Sequence, residues 1–502
     1  MRALTPADSL VYLETNDLAA ALQPIIDSKP FKEAAKGQPD FGALKGVQVA
    51  VAVTGFETTE EKLTDETSVG RIQPRFVAIA DTHAWNYQAV AFADHKLGQF
   101  VTDIYGADVT QDRIDKNEGD YFTWTSGDGR KSYAQVIGSV IYFGNDQTAI
   151  DKCLAVRRGE ADSIAKTGKL PPRVPESLAS GYVSTDGVSQ IGNIVGIKFA
   201  ADAGSASGVQ TAIAGIVPQI LRGCVEEISW SSVKTVGGIE DRIDINLEDT
   251  TAAVLNESLR TAAVSDRELL DFVPLNRASV TEYSLRGPQV AWRSLVLTAQ
   301  SKFDGSIGGA FPVIAAALGQ PYGIQDPELF LSGVGTTLVT VAMDKDGDKS
   351  ALVAAAVIGE NMRGSLLKEL KPDKQLSDQY GLEVLSSADD EIATAFSGKW
   401  IVTGNIEAVK ACLNAKSQRP RKPAEDQAPV PTLGGVQTVL TIGDDFEIAH
   451  DIASVLSESR DPGSGPLAKY STRTRFVPSG IERRTVSDFG LIGSIISQLA
   501  EE

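Results

Sequence analysis

Histidine, cysteine and long apolar runs are all scarce in this sequence, and each scarcity removes a class of function. Only three histidines and three cysteines occur among 502 residues, so metal sites built from closely spaced Cys and His ligands are not expected. No run of 18 or more apolar residues occurs, which predicts that no transmembrane segment is present. Cys153 and Cys412 are predicted to be small core residues on equivalent helices rather than a disulfide pair.

Positive charge is also in deficit. The chain has 47 Lys and Arg residues against 66 Asp and Glu residues, a formal net charge of -19 and a pI of about 4.7. Because such a surface repels phosphate backbones and anionic bilayers at long range, no nucleic-acid partner is expected. The most basic stretch, RPRKP at residues 419–423, is predicted to be part of a solvated Pro-rich linker.

Linear catalytic and ligand-binding motifs are missing. GSASG at residues 204–208 has alanine where a nucleophile elbow needs serine. GVGTTL at residues 333–338 lacks the third glycine and the lysine of phosphate-binding loops, and it precedes a predicted strand. DKDGDK at residues 344–349 departs from the calcium-loop pattern and predicts a hairpin turn instead. The sequence therefore predicts no catalytic, cofactor-binding or metal-binding residue.

The first two histidines are interpreted from their neighbours. His95 lies in WNYQAVAFADHKLGQF, residues 85–100, which predicts an amphipathic helix with Phe92, Leu97 and Phe100 available to the core and His95 in solvent. His83 follows a predicted strand, where Asp81 or Thr82 would cap the helix after it. A metal site from Asp81 and His83 would need further ligands, and none has suitable spacing.

The third histidine, His450, is predicted to lie in a helix in the second half of the chain. The equivalent position of the first half carries no histidine. A catalytic role shared by both halves is therefore not expected.

What the sequence does contain is material for large folded cores. Apolar residues make up 42% of the chain and charged residues 23%, which is typical of globular proteins. The length exceeds what one core usually supports, so two or more domains are expected.

A short unit occurs twice in the chain. VIYFGNDQTAIDKCL at residues 140–154 and KWIVTGNIEAVKACL at residues 399–413 each predict a buried strand, a Gly/Asn turn and a helix whose apolar positions end in Cys-Leu. Similar features surround both copies in the same order: a proline-led strand, a helix and a hairpin before the unit, then a Pro-rich passage, a second strand and helix, and a Gly-Ile-Glu hairpin after it. The repeated order predicts a tandem duplication with a boundary near residue 265.

The fold predicted from these patterns is α+β, with domains at residues 1–265 and 266–502 and Pro-rich linkers near residues 156–175 and 415–431. Each repeat is predicted to have a mainly antiparallel sheet with helices packed on one face. An acidic loop between Val53 and Pro74 (ETTEEKLTDETS) is predicted to replace the tight turn of the other half. The apolar tract Asp304–Gly323 predicts a buried helix, with the lip of a pocket or a partner surface as alternatives.

Three segments resemble a bacterial family of exported proteins catalogued as a domain of unknown function. They are PADSLVYLETND at residues 6–17, GIQDPELFLSGVG at residues 323–335 and VTGNIEAVKACL at residues 402–413. The resemblance implies an α+β architecture and an envelope location, periplasmic or extracytoplasmic, with the sequence beginning after a removed leader. A cytoplasmic location is the alternative. The resemblance implies no catalytic or ligand-binding residue.

The leading hypothesis is a non-catalytic cell-envelope module with a structural role or a protein partner. The first alternative is a carrier for an apolar small molecule or lipid, which would need an unfilled cavity. The second is a hydrolase with His83 or His450 as its base, which would need a carboxylate and a hydroxyl beside that histidine.

Overall fold

The computed structural model describes residues 1–27, 44–62, 68–116, 118–172, 176–202, 219–302, 315–344, 347–418, 437–443 and 469–499. Several features of the sequence therefore lie wholly or partly outside the described residues. Those wholly outside are the basic stretch at 419–423, the small-residue stretch at 204–208 and His450. Those partly outside are both Pro-rich linkers, the acidic segment at residues 63–67, DKDGDK at residues 345–346 and the apolar tract at residues 304–314.

The α+β class is confirmed, since the strands pair antiparallel and helices alternate with them along the chain. The strands of the first half are β1 (Val11–Thr15), β2 (Gln48–Lys62), β3 (Ser68–Asp81), β4 (Thr110–Lys116), β5 (Gly119–Thr125), β6 (Lys131–Ile137), β7 (Val140–Gly144), β8 (Ser177–Val183), β9 (Val225–Thr235) and β10 (Gly238–Leu247). Those of the second half are β11 (Ser279–Ser284), β12 (Val334–Ala342), β13 (Ser350–Ala356), β14 (Lys371–Pro372), β15 (Glu383–Ser386), β16 (Ile392–Ser397), β17 (Trp400–Asn405), β18 (Val439–Gly443), β19 (Tyr470–Val477) and β20 (Gly480–Ser487).

Twelve α-helices connect these strands within the described ranges. They are α1 (Leu18–Asp27), α2 (Asn86–Phe92), α3 (Gly98–Tyr105), α4 (Gln147–Arg158), α5 (Thr185–Asp202), α6 (Asp249–Ser258), α7 (Pro288–Ser301), α8 (Pro327–Ser332), α9 (Glu360–Gly364), α10 (Lys374–Tyr380), α11 (Ile406–Gln418) and α12 (Gly490–Leu499). A π-helical turn, Ala93–Leu97, joins α2 to α3 without a break. None of the helices within these ranges is both long and apolar enough to cross a membrane.

Strand pairing follows one order in both halves. In the first half, neighbouring strands run β4-β5-β6-β7-β3-β2-β1-β8-β9-β10. In the second half they run β14-β15-β16-β17-β13-β12-β11-β18-β19-β20. Each strand thus has neighbours equivalent to those of its counterpart ten strands away. Duplication as the origin of this order stays a prediction.

The chain divides into two compact units. Unit 1 is built mainly from Met1–Ile194 and Glu226–Ile243, and unit 2 from Val195–Val225, Asp244–Ser454 and Pro462–Glu502. In unit 1 the beginning of the first Pro-rich passage packs against the N-terminal residues: Ile164 is buried and its N–H donates to the carbonyl of Thr5 over 2.9 Å.

Helices cover both faces of the sheet in each unit, whereas the sequence predicted one face. In unit 1, α4 packs over β3 and β7 on one side, and the α2–α3 segment packs over β5 and β6 on the other. In unit 2, α11 packs on one side of β12, β13 and β17, while α8 and α9 pack on the other. Strand β13 shows why: Ala351 and Val353 face one core, Leu352 and Ala354 face the other, and all four are buried. A strand buried on both faces loses the alternation that marks a solvated side.

The prediction of an acidic loop between Val53 and Pro74 is wrong. Strands β2 and β3 continue pairing through this stretch, past a register shift between Val53 and Gly55, as far as Lys62 opposite Ser68. Only residues 63–67 lie outside the description. The segment is rich in threonine, which favours extended backbone, and that preference outweighs the charge that suggested a loop.

The two Cys-Leu units fold as the sequence predicted. Helices α4 and α11 follow β7 and β17, and Cys153 and Cys412 are free thiols without solvent exposure. Glycine is required before each helix, because a Cβ on Gly144 would lie 2.2 Å from the Phe76 carbonyl and one on Gly404 would lie 2.3 Å from the Ser350 carbonyl. The hairpin expected at residues 344–349 is also present, joining β12 to β13.

Candidate interaction surface

His83 lies in the turn after β3, beside a carboxylate and a hydroxyl. Its Nδ1 is 3.4 Å from Oδ1 of Asp81, and the Ser139 hydroxyl donates to the same oxygen over 2.8 Å. The backbone N–H of His83 also donates to Asp81 Oδ1, over 3.0 Å. Asp81 therefore accepts from both neighbours and fixes the turn, and His83 adopts a positive φ of 52° within it.

This arrangement does not match the geometry of nucleophilic catalysis. A serine nucleophile needs a base that accepts its proton, with the carboxylate on the far side of the imidazole. Here the carboxylate lies between the hydroxyl and the imidazole, so Ser139 donates to Asp81 rather than to His83. Asp81 or Thr82 was predicted to cap the following helix, but both instead accept backbone N–H groups of the turn that precedes it, and the helix begins after Trp85.

The other residues considered as site candidates lie as follows. His95 is exposed on the π-helical turn, as expected. His450 lies outside the described residues. Asp344 accepts the Lys349 N–H in the β12–β13 turn with both carboxylate oxygens at 3.2 Å. Within the described part of the chain, no cluster of His, Cys, Asp or Glu side chains has the geometry of a metal site.

The most distinctive surface lies on the α2–α3 segment, residues 86–105. The helix starts after Trp85, whose N–H donates to the side chain of Gln88 over 3.1 Å. Its buried residues are Ala89, Val90, Ala93, Gly98 and Val101, none of them larger than valine. A Cβ on Gly98 would lie 3.3 Å from Nε1 of Trp124, so the helix backbone sits directly on the aromatic side chains of β5.

Large apolar side chains of this segment point into solvent instead. The exposed fractions are 75% for Trp85, 68% for Tyr87, 40% for Phe92, 49% for Phe100 and 54% for Ile104. We call these five side chains the aromatic face. Single exposed apolar residues are common, whereas several on one helix indicate a surface that binds something.

The prediction that Phe92 and Phe100 are available to the core is therefore largely wrong. Phe122 and Trp124 of β5 already fill much of the space under the helix, and the helix residues buried against them are alanine and valine rather than aromatic. The π-helical turn also adds one residue between Ala93 and Gly98, which keeps both on the buried side. Leu97 packs partly against this core, as expected.

The aromatic face is continuous with the core beneath it. Phe100 meets Phe143 edge-on at 6.2 Å between ring centroids, and Phe143 meets Trp124 in the same way at 6.2 Å. Trp124 stacks on Phe122 at 5.7 Å. A ring on the surface that is held by rings below it loses less side-chain entropy on binding than a mobile one.

A charged cluster borders this face at β4. Asp94 of the π-helical turn accepts a hydrogen bond from Gln111 over 2.6 Å and lies 3.9 Å from Arg113. Arg113 also donates to Asp120 over 2.6 Å. The hydrogen bond to Asp120, with attraction from Asp94 and Asp115, raises the pKa of the Arg113 guanidinium.

Sequence reasoning missed the aromatic face because it assigned aromatic residues of an amphipathic helix to the core. A usable signal was present in the small residues. Ala89, Ala93 and Gly98 form one stripe once a single extra residue is allowed, and such a stripe indicates close approach of a helix to its support.

Comparisons with known proteins add little. No family model matches the chain, and no curated protein matches it significantly. Crystal form I of TP0453 is 11% identical over 47% of this chain and 98% of that chain, with a TM-score of 0.26. Crystal form III of TP0453 is 10% identical over 46% and 98%, with a TM-score of 0.24. Likeness at this level carries no argument about fold or function.

Proposed function

We propose that this protein is a non-catalytic interaction module of the cell envelope and that its aromatic face binds a partner protein. The observation that carries the proposal is the set of five large apolar side chains exposed on one helical segment above a filled core. The envelope location is supported by the resemblance of three sequence segments to exported proteins.

The chemistry of the face favours a protein as its ligand. Tryptophan and tyrosine give large contact areas with few rotatable bonds and recur where interface energy is concentrated. Polar residues, including Gln88, His95 and Gln99, are exposed between the rings and supply a rim that stays hydrated. A partner of matching chemistry presents apolar pockets surrounded by hydrogen-bonding groups.

A site-specific photo-crosslinker tests the proposal in the source cells. p-Benzoylphenylalanine replaces Tyr87, and in a control chain it replaces Val236, an apolar residue of the β9–β10 turn that is more exposed than Tyr87. We expect a protein adduct from position 87 that mass spectrometry identifies and that is absent from position 236. The adduct should weaken at least tenfold in a Trp85→Ala, Phe100→Ala variant. Equal adducts from both positions, or none from position 87, would overturn the proposal.

The two alternatives predict different results. A carrier would release lipid or another apolar molecule into an organic extract of the purified protein. A hydrolase with His83 as base would lose turnover in a His83→Ala variant, yet the serine beside it donates to Asp81. Neither alternative has a feature in the described residues that favours it over the interaction module.

A further inference from the structure

Strand β4 forms an exposed edge. It pairs with β5 along its whole length, from Thr110 opposite Thr125 to Lys116 opposite Gly119, and with no other strand among the described residues. Residues 110–115 are all exposed, and Ile114 is 55% exposed. An edge of this length offers a row of backbone donors and acceptors to another strand.

The direction of these backbone groups follows from the hairpin. Only two residues separate Lys116 from Gly119, and in such a hairpin the residues that flank the turn form a hydrogen-bonded pair. Even-numbered residues of β4 therefore bond to β5, while Gln111, Arg113 and Asp115 direct their N–H and C=O groups outward. The two-residue turn between Ile137 and Val140 gives the same alternation when it is followed from β7 through β6 to β5.

This alternation limits how a second β4 could pair with the first. In an antiparallel pair, outward-bonding residues must stand opposite each other, so one residue of the strand lies opposite itself on a twofold axis. An axis at Arg113 would oppose two arginines. An axis at Asp112 or at Asp115 would oppose two aspartates. Like charges directly opposite each other are destabilising.

A twofold axis at Ile114 places opposite charges, rather than like charges, opposite each other. Arg113 then stands opposite Asp115 of the second copy, and Asp112 stands opposite Lys116 of the second copy. Each contact occurs twice by symmetry, and Ile114 meets itself at the centre. The strand sequence DRIDK, residues 112–116, is therefore self-complementary in charge in this register alone.

The local electrostatics favour the same pairing. Arg113 faces three carboxylates of its own chain, those of Asp94, Asp115 and Asp120. Asp115 makes no ion pair within the described residues. A guanidinium from a second copy opposite Asp115 would offset this excess of negative charge.

We propose that β4 is a self-association edge, and that two copies of this chain join through antiparallel β4 strands about a twofold axis at Ile114. This surface is separate from the aromatic face, so self-association does not rest on the proposed function. Charged side chains on an edge ordinarily prevent pairing with arbitrary strands. Here the charged side chains of β4 disfavour every register except the one centred on Ile114. Charge confers specificity on an interface in this way.

A cysteine scan reads the register directly. Ile114→Cys places two thiols at a non-hydrogen-bonded pair, where Cα atoms lie roughly 4.5 Å apart, within the range that disulfides bridge. Asp112→Cys is the matched control, because its thiols would lie about 14 Å apart, four residues along the strands. The native cysteines Cys153, Cys224 and Cys412 are buried and give no background. We expect mild oxidation to convert most of the Ile114→Cys protein to a reducible covalent dimer and to leave Asp112→Cys monomeric.

A second measurement does not depend on engineered thiols. Sedimentation of the unmodified full chain should show a concentration-dependent dimer, and Ile114→Lys, which opposes two ammonium groups on the axis, should weaken it at least tenfold. Circular dichroism should show that Ile114→Lys and Ile114→Cys are both folded, since Ile114 is more than half exposed. An unmodified chain that stays monomeric, or cross-linking at position 112 equal to that at position 114, would overturn the proposal.

Discussion

The two halves of the chain agree on one face of their sheets and differ on the other. On the shared face, α4 and α11 follow equivalent strands and bury a cysteine and a leucine in the same way. On the opposite face, the first half places the long α2–α3 segment and the second half places the short helices α8 and α9. The shared face therefore serves packing in both halves, and the divergent face is where their structures differ.

The divergent face also differs in where its large side chains point. Phe330, Met362 and Leu366 of the second half are buried beneath their helices. The helices of the first half bury alanine, valine and glycine there and expose Trp85, Tyr87, Phe92 and Phe100. The same position on the sheet thus buries large helix side chains in one half and leaves them in solvent in the other.

The outer strands show a similar contrast. β4 has seven residues and a free edge, whereas its counterpart β14 is only Lys371–Pro372. Proline has no N–H to donate, and a strand this short cannot template another. One edge is therefore blocked and the other is open, which places self-association on the first half.

Truncating one aromatic ring in each half gives the largest contrast. Phe330→Ala should cost about 3–5 kcal/mol of unfolding free energy, because it leaves a cavity in a filled core. Phe100→Ala should cost about 1 kcal/mol or less, because half of its ring is already in solvent. Denaturant midpoints of the two variants measure the difference. Equal losses would show that the aromatic face is structural.

A glutamate at the equivalent position of β1 and β11 gives the next contrast. Glu14 is buried and accepts hydrogen bonds from Arg2 over 2.5 Å and from Tyr12 over 2.9 Å, whereas Glu282 accepts from the hydroxyls of Ser265 and Ser284. Arg2→Ala should cost about 2–3 kcal/mol because it removes a charged hydrogen-bond donor from a buried carboxylate, and Ser265→Ala should cost about 1 kcal/mol because it removes a neutral one.

The control for this pair is Lys152→Ala, which removes an exposed ion pair with Asp8 and should cost about 0–1 kcal/mol. Chemical denaturation of the three variants orders them. A loss for Arg2→Ala no larger than that for Lys152→Ala would mean that the burial of Glu14 does not require its cation.

The matched cysteines test how far the shared face is alike. Cys153→Ser and Cys412→Ser each bury a hydroxyl in an apolar core and should each cost about 1–3 kcal/mol. Cys→Ala at the same positions should cost less, since it adds no polar group. If only one of the two Cys→Ser variants loses stability within the range of about 1–3 kcal/mol, the two helices are packed unequally.

The pH dependence of the same thiols gives the smallest effect. Burial raises the pKa of Cys153 and of Cys412 to about 12, from an ordinary value of 9.0. The folded protein therefore keeps both protons at a pH where the unfolded chain releases them, and stability should fall as pH rises above about 9. At pH 8 a thiol reagent should label neither residue until denaturant is added. Rapid labelling of the folded protein would contradict this burial.

Several features of the fold were predictable because neighbouring residues determine them. The strand, turn and helix around each Cys-Leu pair follow from apolar periodicity and from glycine and asparagine at the turn. The β12–β13 hairpin follows from Asp-Gly chemistry between alternating strands. These elements carry enough local preference to be recognised without their neighbours in space.

The errors have a common cause in tertiary context. The stretch between Val53 and Pro74 was assigned to a loop from its charge, yet pairing with a neighbouring strand holds it extended. Phe92 and Phe100 were assigned to the core from helical periodicity, yet Phe122 and Trp124 occupy that space. The first outcome was decided by pairing between the two arms of the stretch itself, and the second by residues distant in sequence.

The sequence by itself determined the α+β class, the repeated strand–helix unit and the burial of its cysteines, because these depend on local propensity and on the amount of apolar side chain. Only the tertiary structure decided that helices cover both faces of the sheet in each unit, which aromatic residues remain in solvent, and which strand has a single neighbour among the described residues. Those properties depend on how much space distant residues leave beneath a helix or beside a strand, and no local pattern contains that information.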